Sequence, residues 1–575
     1  MELRPKSGNL NRGGLATIHM LAAMQVVCAV SLVFHPSIVA ADGAMEVPAR
    51  PSERSLPSPV LPPVKPPVDF VLPRAREIAP DSLSDGADLE IRAVAFEGNH
   101  HIETGDLLAI AQPFIGRRLK AAEIEELRHR ITRHYIGKGY VSSGAVLQED
   151  AYHDGMLTFQ IIEGRLENIR LSGEERLHAS YIRDRLSLND DALNINVLQE
   201  RFRLLLTDPL ISKMNARILP GSMPGTAILD VDITRARPYQ LTFFTHNHHE
   251  PSSGSDAYGV SGWVRNLTGF GDMLDVTYQE GRGNARSGLG WSVPVTRYGT
   301  LVELRYEEGD SSLIEEVFRS LDINSTFKSR ELSVRQPVIN MLLQQLNIGL
   351  TWSKRESSTT LLGTPFSFSQ DAPDGHSQVD VWRLSQDYWQ RAEESVLVAR
   401  STFSEGRNNS AQDSGIPSVP ERHYFVWLGQ FQYARQVMDN DASVVARGFI
   451  QQTSNRLVSL ERMAIGGVST VRGYRENEIL RDKGYAASLE LHYPLSGRKA
   501  ANRFLEAVVF YDDGAARNQN EAPVHLNSAG VGITGQYKHL SGELYIATPL
   551  KKLPSKGNGD LQDHGIHFQI RYDIF

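Results

Sequence analysis

The sequence predicts α+β domains toward its amino-terminal side followed by an all-β transmembrane barrel of about 16 antiparallel strands, and three observations carry that expectation. Between residues 88 and 237, segments of helical and strand period follow one another twice. From 238 to 575 the strands alternate with period two, and all six tryptophans (Trp263, Trp291, Trp352, Trp382, Trp389, Trp427) lie there. Beyond residue 41 no run of about 18 apolar residues occurs, which excludes a helical membrane protein but not a barrel, whose strands meet lipid only at every second residue.

The chain opens with Arg4, Lys6 and Arg12, an apolar stretch from Leu15 to Phe34, and the small-residue run Ser37-Ile38-Val39-Ala40-Ala41-Asp42. This reads as a secretory leader over 1–41; a membrane anchor is the alternative, and His19 and Gln25 interrupt it. The only cysteine, Cys28, falls inside the leader, so the mature chain is expected to rely on burial and backbone pairing and not on disulfides. Residues 42–87 are dense in proline, including Leu61-Pro62-Pro63-Val64-Lys65-Pro66-Pro67, and read as an extended linker. A length of 575 residues requires several domains, the net charge of -8 carries no nucleic-acid footprint, and the mean hydropathy is -0.30.

The first α+β domain is read over 88–165. Ile91, Ala93 and Ala95 alternate with Glu90, Arg92 and Val94 as one strand ending at Phe96-Glu97-Gly98-Asn99. Ile124, Leu127, Ile131 and Tyr135 stand at helical spacing, and Gly137-Lys138-Gly139-Tyr140 ends that helix. Leu157, Phe159 and Ile161 make a last strand before Glu163-Gly164. The unit repeats over 166–237: Ile169, Leu171 and Gly173 echo the first strand, Asn196 with Gln199 predicts a capping box for a helix carrying Leu198, Phe202 and Leu205, and Leu229, Val231 and Ile233 form the final strand.

In the barrel region, 238–575, Leu274, Val276 and Tyr278 oppose Asp275, Thr277 and Gln279, while Val302, Leu304 and Tyr306 oppose Glu303, Arg305 and Glu307. Such ionic faces are prohibitive in a dry core and acceptable in a watered lumen. Strands of about 9 to 11 residues with their turns use roughly 20 residues each, which gives about 16 strands. The chain ends with Ile566, Phe568, Ile570, Tyr572 and Ile574 on one side and His567, Gln569, Arg571 and Asp573 on the other.

Two motifs stand out. Ile465-Gly466-Gly467-Val468-Ser469-Thr470-Val471-Arg472-Gly473-Tyr474 puts a permanent cation on a glycine-flanked loop, and Phe510-Tyr511-Asp512-Asp513-Gly514 puts a carboxylate on a strand. Alone, the arginine reads as a solvated turn residue. Together with the barrel-like end, these pieces resemble two-partner secretion transporters, the haemolysin secretion/activation proteins of the POTRA-and-barrel superfamily, which export haemolysins and filamentous adhesins. The helix followed by Gly139-Tyr140 and the closing Ile162-Glu163-Gly164 resemble a POTRA domain in the same way.

The resemblance implies two periplasmic POTRA domains and a sixteen-stranded barrel in the outer membrane of a Gram-negative bacterium. It implies that the loop carrying Val471, Arg472, Gly473 and Tyr474 folds into the pore as a latch, with Arg472 meeting Asp512 on the strand that also carries Phe510 and Gly514. It implies that Tyr572 and Phe575 belong to a carboxy-terminal signal read by the barrel-assembly machinery, although Phe575 falls on the polar side of the alternation. The implied partners are outer-membrane lipid and a large secreted exoprotein, recognised by its amino-terminal secretion domain; transport with activation of that exoprotein is a further implication. The family's plug helix is not legible here, because Asp42 to Arg54 contains Pro48 and Pro51 and has no apolar stripe.

No catalytic or cofactor motif is found: there is no H-E-x-x-H, G-x-S-x-G or P-loop, and no nucleic-acid partner is implied. In Thr245-His246-Asn247-His248-His249-Glu250, His246 and His248 would share a strand face, but solvated imidazoles at a barrel rim are the plainer reading than a metal site. The alternative functions are a barrel-assembly insertase of the same superfamily and, more distantly, an outer-membrane enzyme.

Overall fold

The computed structural model describes residues 70–71 and 88–574, apart from 149, 189–190, 317, 369–372, 411–419, 439, 499–502 and 554–558. The expected leader, most of the linker, the stretch Asp42 to Arg54 in which the sequence shows no plug helix, and Phe575 therefore lie outside the described residues. The first described strand, β1 (Phe70–Val71), belongs to the linker and pairs in parallel with the sheet of the second α+β unit.

In the first α+β unit the expected opening strand breaks in two at Arg92. β2 (Leu89–Ile91) pairs with β4 (Arg117–Leu119), whereas β3 (Ala93–Glu97) runs parallel to β7 (Met156–Ile162). Arg92 and Ala93 both donate their backbone N–H to Gly155 O, at 2.7 and 3.2 Å, and this kink shifts the parity. Val94, read as facing outward with Glu90 and Arg92, is buried instead, since a one-residue slip turns a strand over. β5 (Gly144–Val146) and β6 (Tyr152–His153) pair with the other edge of β7. Helices α1 (Thr104–Ala111) and α2 (Ala121–Gly137) cover the sheet, with Ile124, Leu127, Ile131 and Tyr135 buried and Gly139 at φ +99° turning the chain after α2.

The second unit has the sheet order β1, β9 (Ile211–Pro220), β10 (Thr226–Arg235), β8 (Arg165–Ser172), with α3 (Ala179–Leu186) and α4 (Ile195–Leu205) against it. The helix cap is Asn194, not Asn196: Asn194 Oδ1 accepts Asn196 N at 3.0 Å, so the helix starts two residues earlier than the capping-box reading placed it. His101 bridges the units, with Nδ1 2.6 Å from Glu163 Oε2 and Nε2 2.5 Å from Asp191 Oδ1. The glutamate and the aspartate hold its pKa above the usual imidazole value. At the other side of the second unit, His178 N donates to Gly269 O at 2.8 Å, tying α3 to the turn between the barrel strands Ala257–Arg265 and Met273–Gly281.

The barrel closes on itself. Seventeen strands follow one another around the ring; one of them, Thr364–Pro365, is a two-residue flap, which leaves sixteen spanning strands, all antiparallel to their neighbours. Closure joins the first, Tyr239–His246, to the sixteenth, Ile566–Asp573, from Thr242↔Asp573 to His246↔Gln569. Closing the ring satisfies every strand edge, which lipid requires because it offers no hydrogen bonds. Leu304 points outward while its neighbour Arg305 points in, where it meets Asp275 at 3.1 Å and Glu303 at 3.0 Å.

Candidate functional site

Between the eleventh strand, Ser443–Gln452, and the twelfth, Lys483–Arg498, residues 453–482 turn back into the barrel. A short hairpin, Met463–Ile465 with Ile479–Arg481, carries the tip at 466–478. Gly466 and Gly467, at φ +111° and +97°, reverse the chain there, and a Cβ on Gly467 would collide with the Glu476 carboxylate. That carboxylate accepts Val468 N at 2.6 Å, and Thr470 Oγ1 accepts Gly466 N at 2.8 Å.

The structure brings the two sequence motifs together. Arg472 is fully buried, and its Nε and Nη2 donate to Asp512 Oδ2 and Oδ1 at 2.8 and 2.7 Å, a bidentate pair completed by the Arg472 backbone N–H at 3.0 Å. The guanidinium lies 3.4 Å from the ring centroid of Phe510. Phe510, Asp512 and Gly514 share the inner face of the thirteenth strand, Arg503–Arg517, because they stand two apart. The three contribute differently. The ring stacks, the carboxylate pairs, and Gly514 leaves room, since a Cβ there would lie 3.0 Å from Val471 Cγ2.

The rest of the tip is fixed as closely. Gly473, at φ +90°, passes Ala547 where a Cβ would be 3.1 Å from that residue's Cβ, and its N–H donates to His567 Nε2 at 3.3 Å. Tyr474 OH donates to Lys551 O at 2.6 Å. Arg475 grips Asp563 at 2.6 and 3.0 Å, and Gln562 accepts Glu476 N at 2.8 Å while donating to His249 O at 2.8 Å. The tip is thus bonded to the inner wall and also to the loops at the end of the barrel remote from the α+β units.

Sequence reasoning missed several partners. Ser488 and Glu490, inward residues of the twelfth strand, reach Arg472 Nη2 at 2.8 and 2.7 Å, and Glu490 also meets Arg447 at 2.8 Å. Their alternation with Leu489 and Leu491 was the available signal. The histidine cluster is not solvated, as the sequence reading had it. His246 is buried and stacks on His248 at 5.0 Å and near His249 at 5.3 Å, under the loop that carries Gln562. Burial first, and the neighbouring His246, His567 and His249 second, push His248 down to about 3, which keeps it neutral. Among the described residues no group of His, Cys, Asp and Glu has the arrangement of a metal site. Tyr572 faces outward from the last strand, half exposed.

A closed barrel with charged side chains inside, α+β units at one mouth and a loop folded into its lumen is the build of an outer-membrane transporter of the POTRA-and-barrel kind. The chain belongs to the haemolysin secretion/activation protein family ShlB/FhaC/HecB, whose model matches residues 225–535, and a ShlB-type POTRA domain matches residues 89–164. It is 23% identical over 491 residues to the outer membrane transporter CdiB of Dickeya dadantii, covering 82% of this chain and 84% of the relative. It is 22% identical over 476 residues to the heme/hemopexin transporter protein HuxB of Haemophilus influenzae, covering 76% of this chain and 79% of that one. The solved structure of CdiB from Escherichia coli superposes with a TM-score of 0.65 at 19% identity, over 87% of this chain and 93% of that chain. The protein is therefore an outer-membrane translocator of two-partner secretion, with its POTRA region in the periplasm, and the insertase reading is set aside.

Proposed function

We propose that the protein takes up an unfolded exoprotein of the haemolysin or adhesin type by that exoprotein's amino-terminal secretion domain, passes it through the barrel, and releases it to fold outside. In this reading the second α+β unit is a second POTRA domain, and both units offer sheet-end strands, β3 and β8, to which an extended chain adds by main-chain hydrogen bonds. Folding on the outer side opposes return, so neither a nucleotide nor an ion gradient is needed. The barrel-assembly machinery inserts the transporter, reading Tyr572 and Phe575, and lipid covers its outer face.

The observation that carries this reading is the buried pair of Arg472 and Asp512, which serves as the latch of the pore loop. A bidentate pair in a confined lumen is strong while both partners are present; removal of Arg472 leaves the buried Asp512 without its cation, which costs about 3 to 5 kcal/mol, and removal of Asp512 leaves Arg472 only the Glu490 that it shares with Arg447. Arg472→Ala and Asp512→Ala are each expected to reduce secretion strongly while the barrel stays inserted. The double variant is expected to be no worse than either single one, with a coupling of about 1 to 3 kcal/mol. Secretion assays on the four variants, normalised to heat-modifiable barrel, test this, and additive losses would show that the two residues do not act as partners.

A further inference from the structure

The pore loop is held at a second place by a charge arrangement of the opposite sense. Glu461 closes a short turn, Ser459–Glu461, on the limb that leads from the eleventh strand toward the tip. Its Oε1 lies 2.7 Å from Arg383 Nη2 and 3.3 Å from Arg355 Nη1, and all three side chains are at most 3% exposed. Arg355 also donates to Leu460 O and Gln451 to Glu461 O, the latter at 3.2 Å, while Arg383 donates to Ser353 Oγ. At the tip the loop supplies the cation and the wall the carboxylate; here the loop supplies the carboxylate and the wall two cations.

The surroundings differ as well. Arg355 and Arg383 sit on the seventh and eighth strands, Gln344–Leu361 and His376–Arg391, a different sector of the wall from Asp512. Beside them Val379, Val381 and Val426 face inward and pack against Leu457, Val458 and Leu460 of the limb, all nearly or fully buried. A watered lumen has no use for inward valines unless something apolar covers them, and lifting the limb would bare them to water. Between this dry patch and the polar tip stand Gly466 and Gly467, both in the left-handed region.

We propose that Glu461 is a positioning residue that anchors the limb 457–461 to the wall, so that pore opening moves only the tip beyond Gly466-Gly467 and leaves the limb in place. The inference rests on reading Arg472 and Asp512 as a latch, and its test separates the two.

Cys28, the chain's one cysteine, is replaced by serine, and a single thiol is introduced at Val458→Cys on the limb or Val471→Cys at the tip, two positions that are fully buried. Each is combined with Asp512→Asn or Glu461→Gln in the full-length protein, and the labelling rate by a charged maleimide is measured in outer membranes containing heat-modifiable barrel. Asp512→Asn is expected to speed labelling at 471 at least tenfold and to leave 458 protected; Glu461→Gln is expected to speed labelling at 458 at least tenfold. Should Glu461→Gln not insert, Arg383→Gln reads the same thiol. A thiol at 458 that stays protected without Glu461 overturns the anchor, and one that becomes reactive together with 471 in Asp512→Asn overturns the division of the loop. No change at 471 in Asp512→Asn overturns the latch alone.

Discussion

The α+β units and the barrel use the same two-residue alternation to opposite ends. In the units the apolar side of the strand is the inside: Phe159, Leu229 and Val231 are all 0% exposed, each in the core of its own sheet. In the barrel the apolar side is mainly the outside, where Val276 and Tyr572 are 49% and 50% exposed, while inward wall positions hold charges such as Arg355 and Asp512, except where Val379, Val381 and Val426 lie beneath the limb. Burial of apolar area therefore stabilises the units, whereas the barrel depends on closed backbone pairing, a lipid solvent and charges that are buried only with partners. Alternation alone does not say which side is wet; the solvent does.

The largest expected effect that tests this contrast is in the first unit. Phe159→Ala removes a ring from a dry core and should lower the stability of the periplasmic part by about 3 to 5 kcal/mol, read by urea unfolding followed through protease digestion. A loss below about 1 kcal/mol would mean that the unit does not depend on a tightly packed core, where deleting a buried ring leaves a cavity that cannot collapse.

Next come two adjacent residues of the fifth strand, Leu301–Ser312. Leu304→Arg places a charge against lipid and should cost about 2 to 4 kcal/mol near the membrane midplane, less toward either interface. Arg305→Leu leaves Asp275 and Glu303 without their shared cation and should also destabilise, although it adds apolar surface. Folding titrations into bilayers compare them, and a stabilising Arg305→Leu would show that the lumen face tolerates dryness.

A smaller effect is expected at Gly530, where a Cβ would collide with Phe510 Cζ. The same Cβ would lie 2.5 Å from Ile546 O, so Gly530→Ala must shift both the ring beneath Arg472 and the neighbouring strand, and is expected to cost about 1 to 3 kcal/mol of barrel stability, read by heat-modifiability, along with weaker secretion.

The smallest effect concerns pH. Glu163 and Asp191 raise the folded pKa of His101, with Tyr135 and Tyr140 packed nearby, so the contact stabilises fully below the unfolded value of 6.5 and is lost as pH rises through the higher folded value. Thermal unfolding of the periplasmic part should show that decline, and His101→Gln should flatten it; an unchanged slope in His101→Gln would assign the pH dependence to other groups.

Much of this was legible in the chain. The period of α2, the strand of Leu157, Phe159 and Ile161, and the inward spacing of Phe510, Asp512 and Gly514 follow from local geometry, which sequence encodes directly. The errors were local as well. The kink at Arg92 depends on Gly155, far along the chain, and the cap is Asn194 because that residue is extended and its side chain accepts Asn196 N, which puts Asn196 inside the helix. A further signal was present: the run Tyr424-Phe425-Val426-Trp427-Leu428 is apolar on both faces, which in a barrel marks a wall covered from within.

By itself the sequence determined most of the stretches that become strands and helices and the apolar face of most of them, because these are properties of neighbouring residues. The pairing of Arg472 with Asp512 was implied by the family resemblance; only the tertiary structure decided that Glu490 and Phe510 surround it, that His246 and His248 lie buried, and that Glu461 reaches two arginines on another sector of the wall. Apart from the two neighbouring histidines, those contacts join residues between 18 and 106 positions apart, and they exist because closing the ring fixes the circumference on which a loop folded inward must land.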